Sequence, residues 1–184
     1  MQTWECPSLL FLCVMAIPYI IREARHGDGE QVRLHKLAVA SEPGAMLGYD
    51  ANEVRTADMY QEMAIDHAQS DNSIFLIAES EEQIVASLRC SGGKLKSCRH
   101  VATLSISVEE SFRRRGLGTK LIQRSYNWAK ESEIIKRIEL AVFRNNVGAI
   151  KLYKKFGFEV EGIKIKSCLH DGKYIDDVIM ALLL

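Results

Sequence analysis

Seven consecutive residues, Arg113-Arg114-Arg115-Gly116-Leu117-Gly118-Thr119, carry the strongest chemical signal in the chain. They follow a strand-like run and open a helix-like one. A helix start offers unpaired backbone N–H groups and the positive end of the helix dipole. Glycines let the backbone approach a bulky anion, and arginines add charge-assisted hydrogen bonds. The group such a turn suits is a phosphate or pyrophosphate. Two other phosphate loops are excluded. A Walker A loop needs G-x-x-x-x-G-K-[ST], and a dinucleotide turn needs a third glycine where this chain has Leu121. Without the flanking strand and helix, the same letters would describe only a helix start with solvated arginines.

A second chemical stretch runs over residues 142–158. Ile150, Tyr153 and Phe156 fall on one helix face by i, i+3 spacing. Tyr153 reads either as an aromatic core residue or as a proton donor, because a phenol is a poor occupant of a wholly dry core. A thiol has a pKa of ~8.5 and a phenol ~10, so donation from Tyr153 to a leaving thiolate is feasible once geometry is fixed. Asn146 stands in the turn before this helix, where its side chain could cap the helix or bond a ligand.

The elements that must position these residues follow from periodicity. Strands are expected over 18–24, 73–78, 84–90, 101–108 and 137–143, with a final hairpin over 162–169 and 174–182 turning at His170-Asp171-Gly172-Lys173. Helices are expected over 30–40, 53–69, 116–131 and 147–156. The first would be capped by Asp28 and bury Leu34, Leu37 and Ala38. The third carries an apolar stripe of Leu117, Leu121, Ile122, Ser125 and Ala129. Gly157 stands where a left-handed C-terminal cap belongs. The sum is an α/β (α+β) architecture built on a mixed central sheet of about six or seven strands.

A length of 184 residues suits one domain with an ample core. Lys plus Arg and Asp plus Glu number 24 each, which leaves no global field for nucleic acid or membrane. The five cysteines, Cys6, Cys13, Cys90, Cys98 and Cys168, form no C-x-x-C pair. They read as reduced thiols in a cytoplasmic protein, with no metal site. Residues 8–21 are nearly all apolar but too few to span a bilayer, which takes ~20, and they lack the flanks of a signal peptide. Residues 1–18 are therefore expected to be an apolar leader or edge segment, and 19–184 the domain.

Together the two stretches resemble the GCN5-related N-acetyltransferase (GNAT) superfamily. Its pyrophosphate motif [Q/R]-x-x-G-x-[G/A] is matched by Arg113, Gly116 and Gly118. Its second signature, N-x-x-A-x-x-L-Y-x-x-x-G-F, is matched by Asn146, Ala149, Leu152, Tyr153, Gly157 and Phe158. The resemblance covers residues 19–184 and is specific over 103–158. It implies the family's acyl-CoA N-acyltransferase fold, with helices on both faces of the sheet, and acetyl-CoA as co-substrate without a metal. The segment Ile106, Ser107 and Val108 would pair with the pantetheine arm. Arg113, Arg114, Arg115, Gly116, Leu117, Gly118 and Thr119 would hold the pyrophosphate, Asn146 would contact the cofactor, and Tyr153 would protonate the leaving thiolate. The strands over 101–108 and 137–143 would splay apart near Val108 and Val142.

One departure bears on the acceptor. In the ribosomal-protein alanine acetyltransferases, which this half also resembles, a basic glutamate stands five places before the motif asparagine. Here that position is Ala141. Glu139, His100, Glu109 or a water chain could take the amine proton instead. The acceptor is expected to be a primary amine of a small molecule or a peptide N-terminus, attacking directly in a ternary complex. Glu42, Asp50, Glu53, Asp58, Asp171, Asp176 and Asp177 would suit a cationic acceptor or be plain solvated surface. A non-catalytic acyl-CoA-binding sensor and an acyltransferase for longer chains are the competing readings. A homodimer through the C-terminal strand is a further expectation.

Overall fold

The structure, a computed structural model, describes residues 18–45, 49–170 and 172–184. The expected apolar leader thus lies outside the described residues apart from Pro18, whose carbonyl accepts the Ser80 hydroxyl at 2.6 Å. Asp171 of the hairpin turn is also outside them.

The described residues form seven strands and four α-helices. β1 is Ile20–Glu23, β2 Ile74–Ser80, β3 Gln83–Gly92, β4 Val101–Val108, β5 Arg137–Phe143, β6 Glu159–His170 and β7 Lys173–Leu183. The helices are α1 (Gly29–Ala40), α2 (Ala57–Ala68), α3 (Leu117–Glu131) and α4 (Val147–Lys155). The strands form one mixed sheet in the order β1-β2-β3-β4-β5-β7-β6. Every neighbouring pair is antiparallel except β4 and β5, which are parallel. The C-terminal strand β7 is enclosed between β5 and β6, so among the described residues the outer strands are β1 and β6, and β7 offers no edge for a partner.

Alternating side chains on the central strands feed two cores. Leu76, Leu88, Leu104, Leu140 and Met180 pack with Leu117, Leu121 and Ile122 of α3 and Tyr153 of α4. On the opposite face Phe75 and Ile77 pack with Val32 of α1 and Tyr60 and Ala64 of α2. The buried residues of α3 are the stripe its sequence pattern selects, Leu117, Leu121, Ile122, Ser125 and Ala129.

In α1 the pattern misleads. The buried residues are Gly29, Val32, His35 and Val39, while Leu34 is 42% exposed. A histidine occupies the inward stripe because polar partners await it there, so the apolar count selects the wrong face. Asp28 precedes α1 but makes no side-chain cap. Its carboxylate instead accepts both Arg22 Nη atoms, at 2.7 and 2.9 Å, and the Arg25 N–H at 2.8 Å. α2 starts later than its polar pattern suggests, because Thr56 accepts the Met59 N–H at 3.3 Å and sets the first turn.

Candidate active site

The parallel pair β4–β5 is the feature that opens the sheet. The strands are paired only at Val101↔Arg137, Ala102↔Ile138 and Thr103↔Glu139, yet run on to Val108 and Phe143. The expected splay is therefore present, and register shows which backbone groups it exposes. Glu109 N–H bonds the Val85 carbonyl at 3.0 Å, in line with the β3–β4 register. Alternation along an antiparallel ladder then turns Ser105 and Ser107 toward β3, and Ile106 and Val108 toward the gap. On the other side Arg144 N–H bonds the Asp176 carbonyl at 2.9 Å, which turns Ala141 and Phe143 toward the same gap. Strand amides facing each other without a ladder between them call for another partner. Of the three residues expected to pair with a pantetheine arm, Ile106 and Val108 present their backbones to the gap, while Ser107 presents its backbone to β3.

The glycine-rich turn stands at the open end of this gap. Gly116, at φ +82°, is the residue before α3, and Arg114 is also left-handed at φ +59°. A left-handed arginine costs about 1–2 kcal/mol, so the bend is imposed against local preference, as at many ligand-gripping turns. The first bond of the helix runs from Lys120 N–H to the Gly116 carbonyl at 3.0 Å, which leaves the amides of Leu117, Gly118 and Thr119 ahead of the helical ladder. Arg114 and Arg115 are exposed and make no ion pair among the described residues. Arg113 differs from them. Its Nε donates to the Val108 carbonyl at 2.8 Å, and its guanidinium is ion-paired with Glu42. It ties the turn to the segment after α1, and its charge is already committed.

The turn also meets α4. Arg114 Nη2 is 4.0 Å from where a β-carbon on Gly148 would stand, and one on Gly118 would stand 3.7 Å from Leu152 Cδ2. Asn146 caps α4, its Oδ1 accepting the Ala149 N–H at 3.2 Å, which leaves its Nδ2 donor for a ligand. Two helical turns further on, Tyr153 is buried in the cluster that includes Leu104, Ile106, Val108 and Val142. Burial, reinforced by the nearby Cys90 thiol, raises its phenol pKa, so the hydroxyl keeps its proton at neutral pH. The second signature thus sets Asn146 and Tyr153 on α4, the helix that packs beside the Arg114–Gly118 turn.

The opposite face of β4 carries a polar chain that sequence reasoning missed. Ser107 Oγ is 2.8 Å from His35 Nε2, 2.7 Å from Lys36 Nζ and 3.1 Å from Ser87 Oγ. His35 Nδ1 lies 3.3 Å from a Glu109 carboxylate oxygen. Burial lowers the His35 pKa, and Lys36 adds to the effect against Glu109. Burial brings Lys36 down to about 7, with Arg89 pushing the same way. Of the proposed bases, Glu109 belongs to this chain. Glu139 bonds Arg137 at 3.0 Å, and His100 precedes the end of β4 where the strands are still paired.

Beside this chain a cavity of about 310 Å³ opens between α2 and the sheet, lined by Lys36, Tyr60, Ser87, Arg89 and others. A second, of about 550 Å³, lies where Arg144 and Asn145 face the β6–β7 turn. Three of the seven expected acceptor carboxylates are occupied: Glu42 by Arg113, Glu53 by the Asp50 N–H at 2.9 Å, and Asp176 by the Lys166 N–H at 2.9 Å and Arg144 at 3.2 Å. Among the described residues, no group of His, Cys, Asp and Glu could hold a metal ion.

The acetyltransferase (GNAT) family model matches residues 26–158. The chain belongs to the GNAT acetyltransferase family. It is 42% identical over 86 residues to the L-amino acid N-acetyltransferase AaaT of Escherichia coli K12, an alignment that covers 45% of this chain. The chain spans about half of that relative's length, 51%. A GNAT-family acetyltransferase from Streptococcus pneumoniae superposes with a TM-score of 0.85 at 28% identity, covering 91% of this chain and 100% of that one. The yncA acetyltransferase of Salmonella typhimurium, whose structure holds its cofactor acetyl-CoA, has the same fold, with a TM-score of 0.79 at 17% identity over 91% of this chain and 94% of its own.

Proposed function

We propose that this protein transfers acetyl from acetyl-CoA to a primary amine by direct attack within a ternary complex. The observation that carries the reading is the parting of β4 from β5 beside the Arg114–Gly118 turn. On this reading unpaired strand amides, a phosphate-suited helix start and the Tyr153 hydroxyl border one opening. The diphosphate of coenzyme A is placed on the amides of residues 117–119 with Arg114 and Arg115 over it. The pantetheine amides extend the sheet along Ile106 and Val108, and the acetyl-CoA held by the Salmonella enzyme of the same fold supports that choice of ligand.

The chemistry then divides among this chain's own groups. The Val108 N–H faces the gap where the thioester carbonyl becomes an oxyanion, and a fixed donor there lowers the barrier. Tyr153, protonated at neutral pH, donates to the departing sulfur. The amine proton leaves on the other side of β4. Ser87 lines the 310 Å³ cavity, Ser107 links it to His35, and Glu109, with a side chain 25% exposed, links His35 to solvent. A neutral His35 accepts at Nε2 and holds its Nδ1 proton toward Glu109. This wire supplies what Ala141 lacks. A sensor would need neither an open acceptor cavity nor a proton exit, so both features favour the enzyme over the non-catalytic alternative.

The test is acetyl-CoA consumption with a panel of amines, wild type against Tyr153→Phe. We expect turnover with at least one amine and a fall in kcat of ~10²-fold or more in the variant, the usual contribution of a positioned acid, with coenzyme A affinity kept. No consumption with any amine would remove the reading.

A further inference from the structure

The 310 Å³ cavity has an unusual charge balance. Three cations line it, Lys36, Arg55 and Arg89, against one carboxylate, Glu53, which already accepts the Asp50 N–H. Neither arginine has a carboxylate partner among the described residues. Both direct Nη1 at one thioether, Met63 Sδ, at 3.3 Å from Arg55 and 3.5 Å from Arg89. A guanidinium offers five N–H donors and a thioether is a weak acceptor, so most of that capacity is unused. Elsewhere the chain pairs its arginines readily: Arg22 with Asp28 and Glu79, Arg33 with Glu30, Arg99 with Asp71 and Arg137 with Glu139 and Glu161.

Arg89 is partly buried, and both burial and the neighbouring Arg55 disfavour its charge. Two guanidinium groups side by side with no acid between them, Arg89 partly buried and Arg55 at the exposed mouth, raise the energy of the unliganded site. An anion placed between them removes that cost and gains bidentate bonds. The surrounding walls are aromatic. Phe75, Tyr49 and Tyr60 also line the cavity.

Register fixes the span from this pair to the reaction. Arg89 and Ser87 are two apart on β3 and lie on one face, opposite Ser105 and Ser107 of β4. Two residues along a strand are about 7 Å. Both side chains line the same cavity, so one small acceptor there can meet Ser87 with its amine and Arg89 with its anion.

We propose that this cavity is an acceptor subsite in which Arg89, Arg55 and Lys36 bind the carboxylate of a short amino acid whose amine faces Ser87 and Ser107. The proposal deepens the acetyl-transfer reading above and rests on it. It replaces the cationic acceptor suggested by the chain's acidic loops with a zwitterionic one.

The experiment compares acetylation of paired acceptors that differ only in the carboxylate, phenylalanine against phenethylamine and leucine against isoamylamine. Spermidine serves as a cationic control. Wild type, Arg89→Gln, Arg55→Gln and Arg89→Lys are measured, with coenzyme A affinity and melting temperature showing that each variant is folded. We expect kcat/KM for at least one amino acid to exceed that of its matched amine by ~10–100-fold, the range of a charge-assisted pair. Arg89→Gln should raise KM for that amino acid by a similar factor with kcat little changed, and Arg89→Lys should recover part of the loss. Matched amines or spermidine used as well as the amino acids would overturn the subsite while leaving acetyl transfer intact, as would folded arginine variants with unchanged KM. Should Arg89→Gln not fold, the paired acceptors on the wild type and Arg55→Gln decide. Bound coenzyme A with no turnover of any amine would overturn both the transfer reading and the subsite.

Discussion

His35 is a histidine buried among polar partners, and the proposed proton path runs through it. It is 1% exposed, on the inward stripe of α1, with one ring nitrogen on Ser107 and the other toward Glu109. Burial lowers its pKa, so it is neutral and can accept a proton at physiological pH. Protonating it blocks the wire, and because its pKa is lowered, the loss of rate should fall below the ordinary imidazole value of ~6.5. We expect kcat/KM for a fixed acceptor to drop below that value in the wild type. In His35→Gln the rate should fall by ~10²-fold at neutral pH and lose this acid limb. Stability should move with it: as pH falls below ~6.5 the unfolded chain takes up the proton first, so the wild type is destabilised there and the variant less so. A pH–rate profile and thermal melts at several pH values measure both.

Tyr153 and Asn146 were legible in sequence because both lie in one short motif whose spacing the helix α4 fixes. His35, Lys36, Arg55 and Arg89 were not, because they come from three separate segments and meet only through the β2–β3–β4 register. The one available signal was a histidine interrupting an otherwise plain amphipathic helix, and the apolar residues beside it, Leu34 and Leu37, pointed to the wrong face.

At the scale of elements, two glycines shape the site and one carries a clean prediction. Gly157 ends α4 at φ +90°, and a β-carbon there would stand 3.4 Å from Leu182 Cδ1. The Phe158 N–H reaches back to the Tyr153 carbonyl at 3.2 Å, so this cap fixes the turn that carries the proposed acid. Gly157→Ala should cost about 1–2 kcal/mol, the penalty of a left-handed side chain. For a chain of this size that lowers Tm by roughly 2–8 °C, which calorimetry would register. Unchanged stability would mean that the cap relaxes without strain. The extents of β4 and β5 were readable from their alternation, residue for residue. Which way each backbone group points was not, because that depends on antiparallel partners far off in sequence, β3 for Ile106 and Val108 and β7 for Ala141 and Phe143. The expected role of Ser107 divides for this reason: its backbone serves β3 and its hydroxyl serves the proton wire. Arg113 divides similarly, a motif arginine whose side chain joins the turn to Val108 and Glu42.

In the whole molecule, the sheet separates two jobs. The α3–α4 face carries the helix start and the phenol, and the α1–α2 face carries the polar wire and the cationic cavity. Only where β4 and β5 part can groups on the two faces reach one reacting centre. The mixed topology makes this possible: a parallel pair inside an otherwise antiparallel sheet is the one place where strands diverge while each keeps its other neighbour. Among the described residues no helix is long and apolar enough to cross a membrane, and the balanced charge of the chain leaves recognition to local clusters rather than to a long-range field.

The central claim is that coenzyme A fills the parting between β4 and β5 with its diphosphate on the turn before α3. Amide hydrogen exchange with and without coenzyme A tests it most directly, since each strand amide reports its own bonding. Exchange should slow at Ile106, Val108, Ala141 and Phe143 and at residues 117–119, with the amide of Ser107, already bonded to β3, little changed. Coenzyme A that leaves these amides unprotected, or protects a different part of the sheet, would contradict it.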